Sequence, residues 1–444
     1  MNAIGPWIWP EHVRLDHNSS FWARSQLPPS APLTRDLTVD VAVIGGGLTG
    51  LSSAYYIRSQ STDKSVAVLE ADRCGSGASG RNGAMVLTMT ADRFMSFGGD
   101  PQLDKEIYDL TAANVRSLAN LSTSVGIDCD LETLGTLQVC NTEADADAAR
   151  AYVARAAPLG MPVEYWGKER LTAAIGSPVY RGAFFDPGGG QVNPMKLVQV
   201  FKSAAERSGA SIYENTVVEH VEEGEVHAIK TLKGPWIHAR SLVLASNAYA
   251  PNLGYFRNSI LPLRDFVAIT RPLSEAELGV LGWRSRVPFN DSRTEVYFFG
   301  MTRDGRVHIG GGAPQYGFNG AAPTAAEVAV HRRRLERELL RVFPRLAGVD
   351  IEAIWSGVID WSLNAAPSVG RTGKHRNVFY GVGYSGHGVN LTSVFGRIIA
   401  DLERGRIAPW QRLPFVNSEF DYVPNEPFRW AAAQAGMLWC ALTE

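Results

Sequence analysis

Residues 39–50, which read V-D-V-A-V-I-G-G-G-L-T-G, decide the fold together with Glu70 at the end of V-A-V-L-E. An apolar run, glycines at fixed spacing, an amphipathic segment and a second apolar run ending in an acid predict a βαβ unit that binds a dinucleotide. Gly45 permits the tight turn from strand to helix, Gly47 lets the main chain approach a pyrophosphate, and Gly50 lets the helix pack against the sheet. The alternative is a glycine-rich turn without a ligand.

The helix after these glycines supplies the expected phosphate site. Its free N–H groups and its dipole favour negative charge at the N-terminus, so the pyrophosphate is expected there. Glu70 follows Gly50 by 20 residues, and its carboxylate can accept hydrogen bonds from a ribose. The same carboxylate would repel the 2′-phosphate of NADP, so the sequence favours a dinucleotide without that group.

The composition is typical of a soluble globular protein. The chain has 444 residues, which exceeds one ordinary core and predicts two domains, and 45% of them are hydrophobic and 20% charged. The net charge of −2 gives no reason to expect a nucleic acid partner. We expect the arginines at 332–334 to form the exposed face of a helix over 326–343. No apolar run reaches the roughly 20 residues of a transmembrane helix.

The cysteines and the N-terminus indicate the compartment. Cys74, Cys129, Cys140 and Cys440 show neither C-x-x-C nor metal-ligand spacing, so no metal site is expected. The start, M-N-A-I-G-P-W-I-W-P-E-H, lacks the basic and apolar regions of a secretory signal. A reducing compartment, the cytoplasm, is therefore the expected location.

Buried strands near both ends of the chain predict a nucleotide-binding domain that is discontinuous in sequence. The expected division is an N-terminal arm (1–37), a nucleotide-binding domain (38–95, 181–261 and 352–415), a second domain (96–180 and 262–351) and a tail (416–444). Residues 428–442 of the tail are expected to form a helix that docks on this molecule or on a partner. The pattern leaves the oligomeric state open.

Hydrophobic periodicity places the elements that matter for the site. Helices are expected over 104–125, after Pro194, and over 389–403, the last of them entered through G-V-G-Y-S-G-H-G. Buried strands are expected over 242–245 and 378–381, and further strands around 266–270, 297–299 and 307–309.

Residues 75–84 favour FAD over NAD. They read G-S-G-A-S-G-R-N-G-A, where an NAD domain normally continues into regular βα repeats. A run of small residues lets the main chain wrap closely around a flat ring system and donate N–H groups to it. The alternative is an ordinary mobile surface loop.

Five motifs in this order carry a resemblance to a known family. They are G-G-G-L-T-G-L-S-S-A (45–54), G-A-S-G-R-N-G (77–83), F-D-P-G-G-G-Q-V-N-P (185–194), N-A-A-P-S-V-G-R (364–371) and G-Y-S-G-H-G-V (383–389). Together they resemble the D-amino-acid-oxidase-like (DAO) family of FAD-dependent oxidoreductases, and within it the γ-glutamylputrescine oxidase branch. The resemblance spans about residues 20–415.

The resemblance implies a mixed α/β fold of the glutathione-reductase-2 type. A discontinuous Rossmann-like FAD-binding domain would join a substrate domain built on an antiparallel sheet, with the substrate over the flavin at their junction. It also implies oxidation of a C–N bond in a small-molecule amine or amino acid. Electrons would pass to O2 and give hydrogen peroxide.

Carried over position by position, the resemblance implies a set of FAD contacts. The early glycines would hold the pyrophosphate, Glu70 the ribose, Val218 the adenine through its backbone, and Ala245 and Ser246 the diphosphate side. The full expected set is Gly45, Gly46, Gly47, Leu48, Thr49, Gly50, Glu70, Ala71, Gly77, Ala78, Ser79, Arg81, Asn82, Gly83, Ala84, Met85, Val218, Ala245, Ser246, Gly386, His387, Gly388 and Val389.

The chain departs from the family pattern at two points. Where the branch usually shows R-N-G-G-Q, this chain has Ala84 and Met85 after R-N-G, which removes a polar amide near the flavin. Some relatives attach FAD covalently through His or Cys. The matching position here is Arg81, and no cysteine lies between 141 and 439. Non-covalent FAD is therefore expected.

Three residues are candidates for catalysis. A helix starting near Val389 could stabilise negative charge at the flavin N1–C2=O end, with His387 beside it as a structural cap, a flavin contact or an acid–base catalyst. His308 lies where sarcosine-oxidase relatives carry a lysine that assists electron transfer to dioxygen, and a protonated histidine could do the same. Its alternative is a satisfied strand residue. Tyr297, in the same apparent hairpin, is expected to face the substrate.

Further side chains are candidates for the substrate pocket. Phe298, Trp355, Trp361 and Tyr384 could form aromatic walls, although each could equally be a core residue. Arg264 and Arg271 could anchor a substrate carboxylate. Two other functions stay open at this point: a dehydrogenase that passes electrons to a quinone or a protein, and a flavin-bound assembly protein without turnover.

Overall fold

The computed structural model describes residues 20–88 and 100–443. Most of the expected N-terminal arm, and residues 89–99 of the first two expected domain segments, lie outside the described residues. The strands are β1 (Leu37–Ile44), β2 (Val66–Leu69), β3 (Met85–Val86), β4 (Thr136–Cys140), β5 (Glu164–Gly167), β6 (Gly182–Asp186), β7 (Gly190–Gln191), β8 (Ser211–Tyr213), β9 (Val218–Glu222), β10 (His227–Thr231), β11 (Trp236–Leu244), β12 (Leu261–Thr270), β13 (Phe289–Asp291), β14 (Tyr297–Met301), β15 (Val307–Gly311), β16 (Ile351–Trp361), β17 (Ser368–Thr372) and β18 (Val378–Val382).

The helices agree closely with the periodicity of the sequence. They are α1 (Leu48–Gln60), α2 (Pro101–Val125), α3 (Glu143–Ala156), α4 (Lys168–Ile175), α5 (Pro194–Arg207), α6 (Glu275–Leu281), α7 (Ala325–Val342), α8 (Gly388–Glu403) and α9 (Phe428–Thr443). The predicted start after Pro194 is confirmed, because Pro194 occupies the first turn of α5 and Asn193 caps it. Within the described residues no helix has both the length and the apolarity needed to cross a membrane.

The first sheet is the predicted nucleotide-binding sheet. Its order is β17–β18–β11–β1–β2–β8, and β10 and β9 extend from the first half of β11. The pairs β18–β11, β11–β1, β1–β2 and β2–β8 are parallel, so their carboxyl ends meet at one edge. Alternate residues of β1 serve two cores: Val41 and Val43 face the helices, whereas Ala42 and Ile44 face the layer that contains β9 and β10.

Three helices cover one face of the first sheet. Helix α1 packs against both α5 and α8, and α2 packs on the outside of α5 and α8. Because α1 and α8 come from opposite ends of the chain, the early glycine turn and the late G-Y-S-G-H-G turn lie at the same edge of the sheet. The prediction of a mixed α/β fold with a nucleotide-binding sheet is confirmed.

The second sheet has the order β16–β12–β15–β14–β13–β4–β6–β5. Its pairs are antiparallel apart from β13 and β4, which run parallel. Helix α7 covers one face, where Leu335 and Leu339 join a core with Phe289 and Phe299. The other face packs against the core of the first sheet through Val267, among others. The predicted antiparallel sheet is therefore present.

Two strands pair differently from the expected division into domains. Strands β6 and β16 lie in segments expected in the nucleotide-binding domain, but both pair in the second sheet. Helix α2 lies in a segment expected in the second domain, but it packs on α5 and α8. The strands that pair are far apart in the sequence, so a local sequence pattern cannot locate such domain boundaries. The division itself stays a prediction.

The two ends of the described chain pack on the body. A short 3-10 helix, Phe21–Ser25, places Trp22 in the main core. Helix α9 rests on the body through Ala433 and Met437, and the Gln434 side chain donates to the Tyr316 carbonyl oxygen. The expected tail helix therefore exists and docks on this molecule.

Candidate active site

A cavity of about 430 Å³ opens where the parallel strands of the first sheet end. In open α/β sheets, ligands bind beyond the carboxyl ends of the strands. Its wall combines segments from the whole chain: the turn after β1, the end of β2, residues 75–82, the segment before β9, the end of β11, and the start of α8. Among the described residues that line it there is no lysine or arginine.

The glycine turn after β1 is sterically obligatory. Gly45 has φ +109°, and a Cβ there would lie 2.4 Å from the Ala245 carbonyl oxygen. A Cβ on Gly50 would lie 1.9 Å from the Gly45 carbonyl oxygen. The backbone conformation therefore requires glycine at position 45. The close approach of other main chain requires glycine at both 45 and 50.

The N-terminus of α1 faces the cavity. Gly47 is the N-cap, and Gly47, Leu48 and Thr49 all line the wall. The Leu48 N–H donates to Ser79 Oγ at 2.9 Å, which draws the G-A-S-G segment onto the helix start. Main-chain N–H groups and a helix dipole at this point suit a pyrophosphate.

Glu70 is half-buried just after β2, and its carboxylate accepts hydrogen bonds from main-chain N–H groups. Its Oε2 accepts from the Gly46 N–H at 2.6 Å, and its Oε1 accepts from the Asp72 N–H at 3.0 Å. Burial raises the pKa of Glu70 to about 7, against these two hydrogen bonds. The carboxylate borders the cavity, where further hydrogen-bond donors such as ribose hydroxyls can reach it.

The R-N-G segment, residues 81–83, is held in place by hydrogen bonds to other parts of the chain. Arg81 is buried, and its guanidinium donates to the carbonyl oxygens of Ser76 at 2.6 Å and Ser356 at 3.0 Å. Burial lowers the pKa of Arg81. The Trp355 indole N–H donates to the Arg81 carbonyl oxygen at 2.8 Å, and the Trp22 indole N–H donates to that of Asn82 at 3.1 Å.

These two indole contacts were missed by sequence reasoning. Trp355 was expected as an aromatic wall, and Trp22 belonged to the expected N-terminal arm. The Ser20 hydroxyl adds a further bond to the Gly80 carbonyl oxygen at 2.6 Å. Nothing in the sequence of the arm indicates which carbonyl groups it meets.

Ala84 sits in a backbone conformation that suits glycine. Its φ is +62°, and it is buried. Its N–H donates to Asn82 Oδ1 at 3.0 Å, and its carbonyl oxygen accepts from Val192. The family pattern has glycine here, so the departure seen in the sequence places an alanine in the left-handed region.

The late turn is fixed by a residue that the sequence analysis did not single out. Asp360, at the end of β16, accepts from the N–H groups of Gly383 at 2.7 Å and Tyr384 at 3.2 Å. Burial raises the pKa of Asp360 to about 7. The Tyr384 hydroxyl lies 2.8 Å from Thr49 Oγ1, which ties the late turn to α1. Asp360 and Tyr384 both line the cavity.

Most of the expected FAD contacts line this one cavity. Those on its wall are Gly45, Gly47, Leu48, Thr49, Glu70, Ala71, Gly77, Ala78, Ser79, Asn82, Val218, Ala245, Ser246, Gly386, Gly388 and Val389. The remaining described candidates lie outside the wall: Gly46, Gly50, Arg81, Gly83, Ala84, Met85 and His387. Lining residues that were not expected include Thr216, Asn247, Tyr249 and Ile359.

His308 lies behind the R-N-G segment rather than on the cavity wall. It is fully buried on β15, its ring meets the Trp22 ring edge-on at 5.7 Å, and its Nδ1 has no described hydrogen-bond partner. Burial lowers the pKa of His308 to about 4. The expected positive charge near neutral pH is therefore not supported.

The other two catalytic candidates also lie off the wall. The Tyr297 hydroxyl accepts from Arg334 Nε of α7 at 2.8 Å, so this side chain points to the helix-covered face of the second sheet. His387 is the N-cap residue of α8, next to the lining residues Gly386 and Gly388. Arg334, expected on an exposed face, instead reaches inward to Tyr297.

The expected substrate-pocket residues separate into different places. The Phe298 ring lies directly over Gly83, where a Cβ would come within 2.1 Å of it. Trp361 packs in a cluster with Leu261 and Leu263, away from the cavity. Arg271 forms a two-point ion pair with Glu277, at 2.7 and 2.9 Å.

Comparisons with known proteins agree with this geometry. The sequence profile of the FAD dependent oxidoreductase family, DAO, matches residues 40–402. The chain is 30% identical to γ-glutamylputrescine oxidoreductase of Escherichia coli over 88% of this chain and 90% of that protein. It is 24% identical to glycine oxidase of Geobacillus kaustophilus over 85% of this chain and 96% of that protein.

Solved structures share the fold. The glycine oxidase from Geobacillus kaustophilus superposes with a TM-score of 0.72 at 22% identity, covering 84% of this chain and 98% of that one. The L-proline dehydrogenase from P. horikoshii also gives a TM-score of 0.72, at 19% identity, covering 85% and 96%. The chain therefore belongs to the DAO family and is an FAD-dependent oxidoreductase.

Proposed function

We propose that the protein oxidises the C–N bond of a small-molecule amine or amino acid. The carbon next to nitrogen would lose its hydrogen as a hydride to bound FAD, and water would convert the resulting imine to an aldehyde or keto acid plus an amine or ammonia. Dioxygen then takes up the electrons and gives hydrogen peroxide. One observation carries the proposal: a cavity built on the glycine turn, Glu70 and the α8 turn, with the second sheet closing beside it.

The cavity fits FAD held without a covalent bond. Bound FAD would supply a hydride acceptor and a route for electrons to a second acceptor. The N–H groups at the start of α1 would hold its pyrophosphate and Glu70 its ribose. The residue at the family's attachment position, Arg81, has no nucleophilic side-chain atom, and its guanidinium is bonded to two carbonyl oxygens.

The chain itself would prepare the substrate. The amine must be neutral before it can release a hydride, and a partly buried apolar face disfavours the ammonium form. Phe298 and Ile359 provide such surface beside the R-N-G segment. The first N–H groups of α8, which begins at Gly388 and Val389, would stabilise the negative charge that develops at the N1–C2=O end of the flavin.

One observation favours a dehydrogenase as the second candidate. Sarcosine-oxidase relatives use a cation at the position that His308 resembles, and the pKa of His308 is lowered to about 4. An uncharged imidazole removes that assistance to dioxygen. A dehydrogenase would pass the same electrons to a quinone or to an electron-transfer protein.

Anaerobic reduction tests the proposal. The purified yellow holoprotein is mixed with a panel of amines and amino acids, and the visible flavin absorbance is followed. Bleaching by at least one compound, with release of the matching carbonyl product, is the expected result. If dithionite bleaches the flavin and every amine and amino acid fails, the oxidation proposal is wrong and a protein without turnover remains.

Reoxidation separates the two candidates. The substrate-reduced protein is mixed with air-saturated buffer or with an artificial quinone under argon. An oxidase returns to yellow in air within the turnover time and releases one peroxide per substrate. Slow return in air, with rapid return on adding quinone, identifies the dehydrogenase.

A further inference from the structure

The turn that leads into α8 is held by one buried carboxyl group. Asp360, at the end of β16, accepts hydrogen bonds from the N–H groups of Gly383 at 2.7 Å and Tyr384 at 3.2 Å. Its carbonyl oxygen also accepts from the Ser385 N–H at 3.3 Å. Gly383, Ser385 and Gly386 all have positive φ, a conformation that a residue such as serine rarely adopts. Asp360 therefore fixes the backbone immediately before the N-terminus of α8.

Asp360 lies on the cavity wall, at the end where α8 begins. It lines the cavity together with Tyr384, Gly386 and Gly388. The proposed function puts the N1–C2=O end of the flavin at this helix terminus, where negative charge develops on reduction. Asp360 is only 2% exposed, so its carboxyl lies in a medium of low dielectric constant, where charges interact more strongly than in water. A change of charge on the flavin therefore acts on this carboxyl.

The Asp360 carboxyl can respond to such a change near neutral pH. Burial raises its pKa to about 7, against the main-chain hydrogen bonds, and among the described residues no charged side chain contributes to this shift. Two main-chain donors occupy about half of the roughly four acceptor positions of a carboxylate, which leaves room for a proton. A further negative charge nearby raises the pKa again, because like charges disfavour the ionised form.

The nearest neighbours of Asp360 stay uncharged near neutral pH. The Tyr384 hydroxyl is buried, which raises its pKa. Burial also raises the pKa of Tyr249, in the 3-10 helix Asn247–Leu253 that packs against β16. On β12, the residue that pairs with Asp360 is Pro262. These three side chains have no carboxylate or imidazole that could take up a proton when the flavin is reduced.

Three ionisable groups near the cavity could compete with Asp360 for a proton. Glu70 and Asp72 border the cavity after β2, but neither contributes to the pKa shift of Asp360. The ribose hydroxyls that Glu70 is proposed to bind would donate to its carboxylate and favour the ionised form. His387 is the N-cap residue of α8 and directly follows the turn. A test must therefore remove the charge of Asp360 and leave these three groups in place.

We propose that the Asp360 carboxylate takes up one proton when FAD is reduced and so compensates the negative charge that the cofactor gains. A substrate hydride brings two electrons and one proton to FAD, which adds one negative charge. The proton that Asp360 binds comes from bulk water, and no further oxidant or reductant takes part. The inference rests on the proposed flavin chemistry and deepens it, because reduction then takes up two protons for two electrons, one of them on the protein.

The pH dependence of the reduction potential tests this proton uptake. The oxidised holoprotein is reduced slowly with dithionite beside a reference dye between pH 6 and pH 9, and the spectra give the potential at each pH. Below pH 7 Asp360 is protonated in both redox states and adds nothing. Above pH 7 its proton uptake is expected to add a tenfold change in the equilibrium constant per pH unit, which is about 30 mV for a two-electron couple.

Asp360→Asn keeps one oxygen as an acceptor but removes the titration. Its potential is expected to match the wild type at pH 6 and to exceed it above pH 7 by a further tenfold in the equilibrium constant per pH unit. A purely structural role of the turn would instead shift the potential equally at every pH. Asp360→Glu should keep the extra slope. Asp291→Asn is the control, because Asp291 is fully buried under α7 and accepts from the Tyr297 N–H at 3.0 Å, and it should keep the wild-type slope.

Two results would overturn the inference. One is a wild-type potential with the one-proton slope throughout, which needs no variant and decides even if Asp360→Asn fails to fold. The other is an Asp360→Asn protein that holds FAD and keeps the extra slope, which would move the proton to His387 or Glu70. The titration needs no amine. A protein that shows the extra slope but is bleached by no amine or amino acid would contradict the proposed oxidation and leave the proton uptake standing.

Discussion

The two sheets build their parts of the site from different atoms. At the edge of the first sheet, the wall consists largely of main chain: the glycine turn, the N-terminus of α1 and the end of β11. On the second sheet, the surface consists of side chains, and the strand register decides which of them face the cavity. A site made of main chain can be recognised from a short sequence motif. A surface made of side chains depends on which strand residues pair, such as Asp265 with Gly357.

The largest expected effect comes from breaking the main-chain site. Gly45→Ala would force an alanine into φ +109° and place its Cβ 2.4 Å from the Ala245 carbonyl oxygen. The purified variant is expected to lack FAD or to be insoluble. The ratio of visible to ultraviolet absorbance measures bound FAD. Gly167→Ala, in the second sheet with open space at the Cβ and ordinary φ, is the control and should retain full FAD.

The second effect concerns charge at the edge of the first sheet. The pKa of Glu70 is raised to about 7 from 4.5, so the folded apoprotein binds a proton that the unfolded chain releases over that interval. The contribution of Glu70 to the free energy of unfolding is fully present below pH 4.5 and is lost as the pH rises through 7. The loss amounts to about 3 kcal/mol in all.

Urea unfolding of the apoprotein from pH 5 to pH 8 measures this contribution. The Glu70→Gln variant is expected to lose less stability across the interval than the wild type. Equal slopes for the two proteins would show that Glu70 is not desolvated in the folded apoprotein.

The third effect joins the two sheets. Trp355→Phe leaves the buried Arg81 carbonyl oxygen without its indole donor, and unfolding free energy is expected to fall by about 1–3 kcal/mol. FAD should also be retained less tightly, because the R-N-G segment loses its clamp. Trp22→Phe is expected to act in the same direction. Trp410→Phe removes an indole bond to Asp401 away from the cavity, and it should destabilise without changing FAD affinity.

The smallest effect tests the departure from the family pattern. Ala84→Gly relieves φ +62°, which is expected to raise the unfolding free energy by up to about 1 kcal/mol, less the loss of one buried methyl group. Chemical denaturation of the holoprotein measures the difference. A loss of more than 1 kcal/mol would mean that packing of the methyl group outweighs the backbone conformation.

Prediction from sequence succeeded where the signal is local. The βαβ unit, the start of α5 at Pro194 and the buried strand leading into α8 follow from spacing and periodicity, and the structure has them. Prediction failed where partners are distant. Tyr297 was expected to face the substrate, but its hydroxyl meets Arg334 of α7, and the next residue, Phe298, faces the other way and lies over Gly83.

By itself the sequence determined a dinucleotide-binding turn, because only glycine tolerates that conformation and that approach of main chain. Tertiary structure alone decided the surroundings. It buried His308, which lowers the pKa of that side chain to about 4, and it brought the indole groups of Trp22 and Trp355 onto neighbouring carbonyl oxygens. Burial and strand register are properties of the assembled sheets, and no short stretch of sequence contains them.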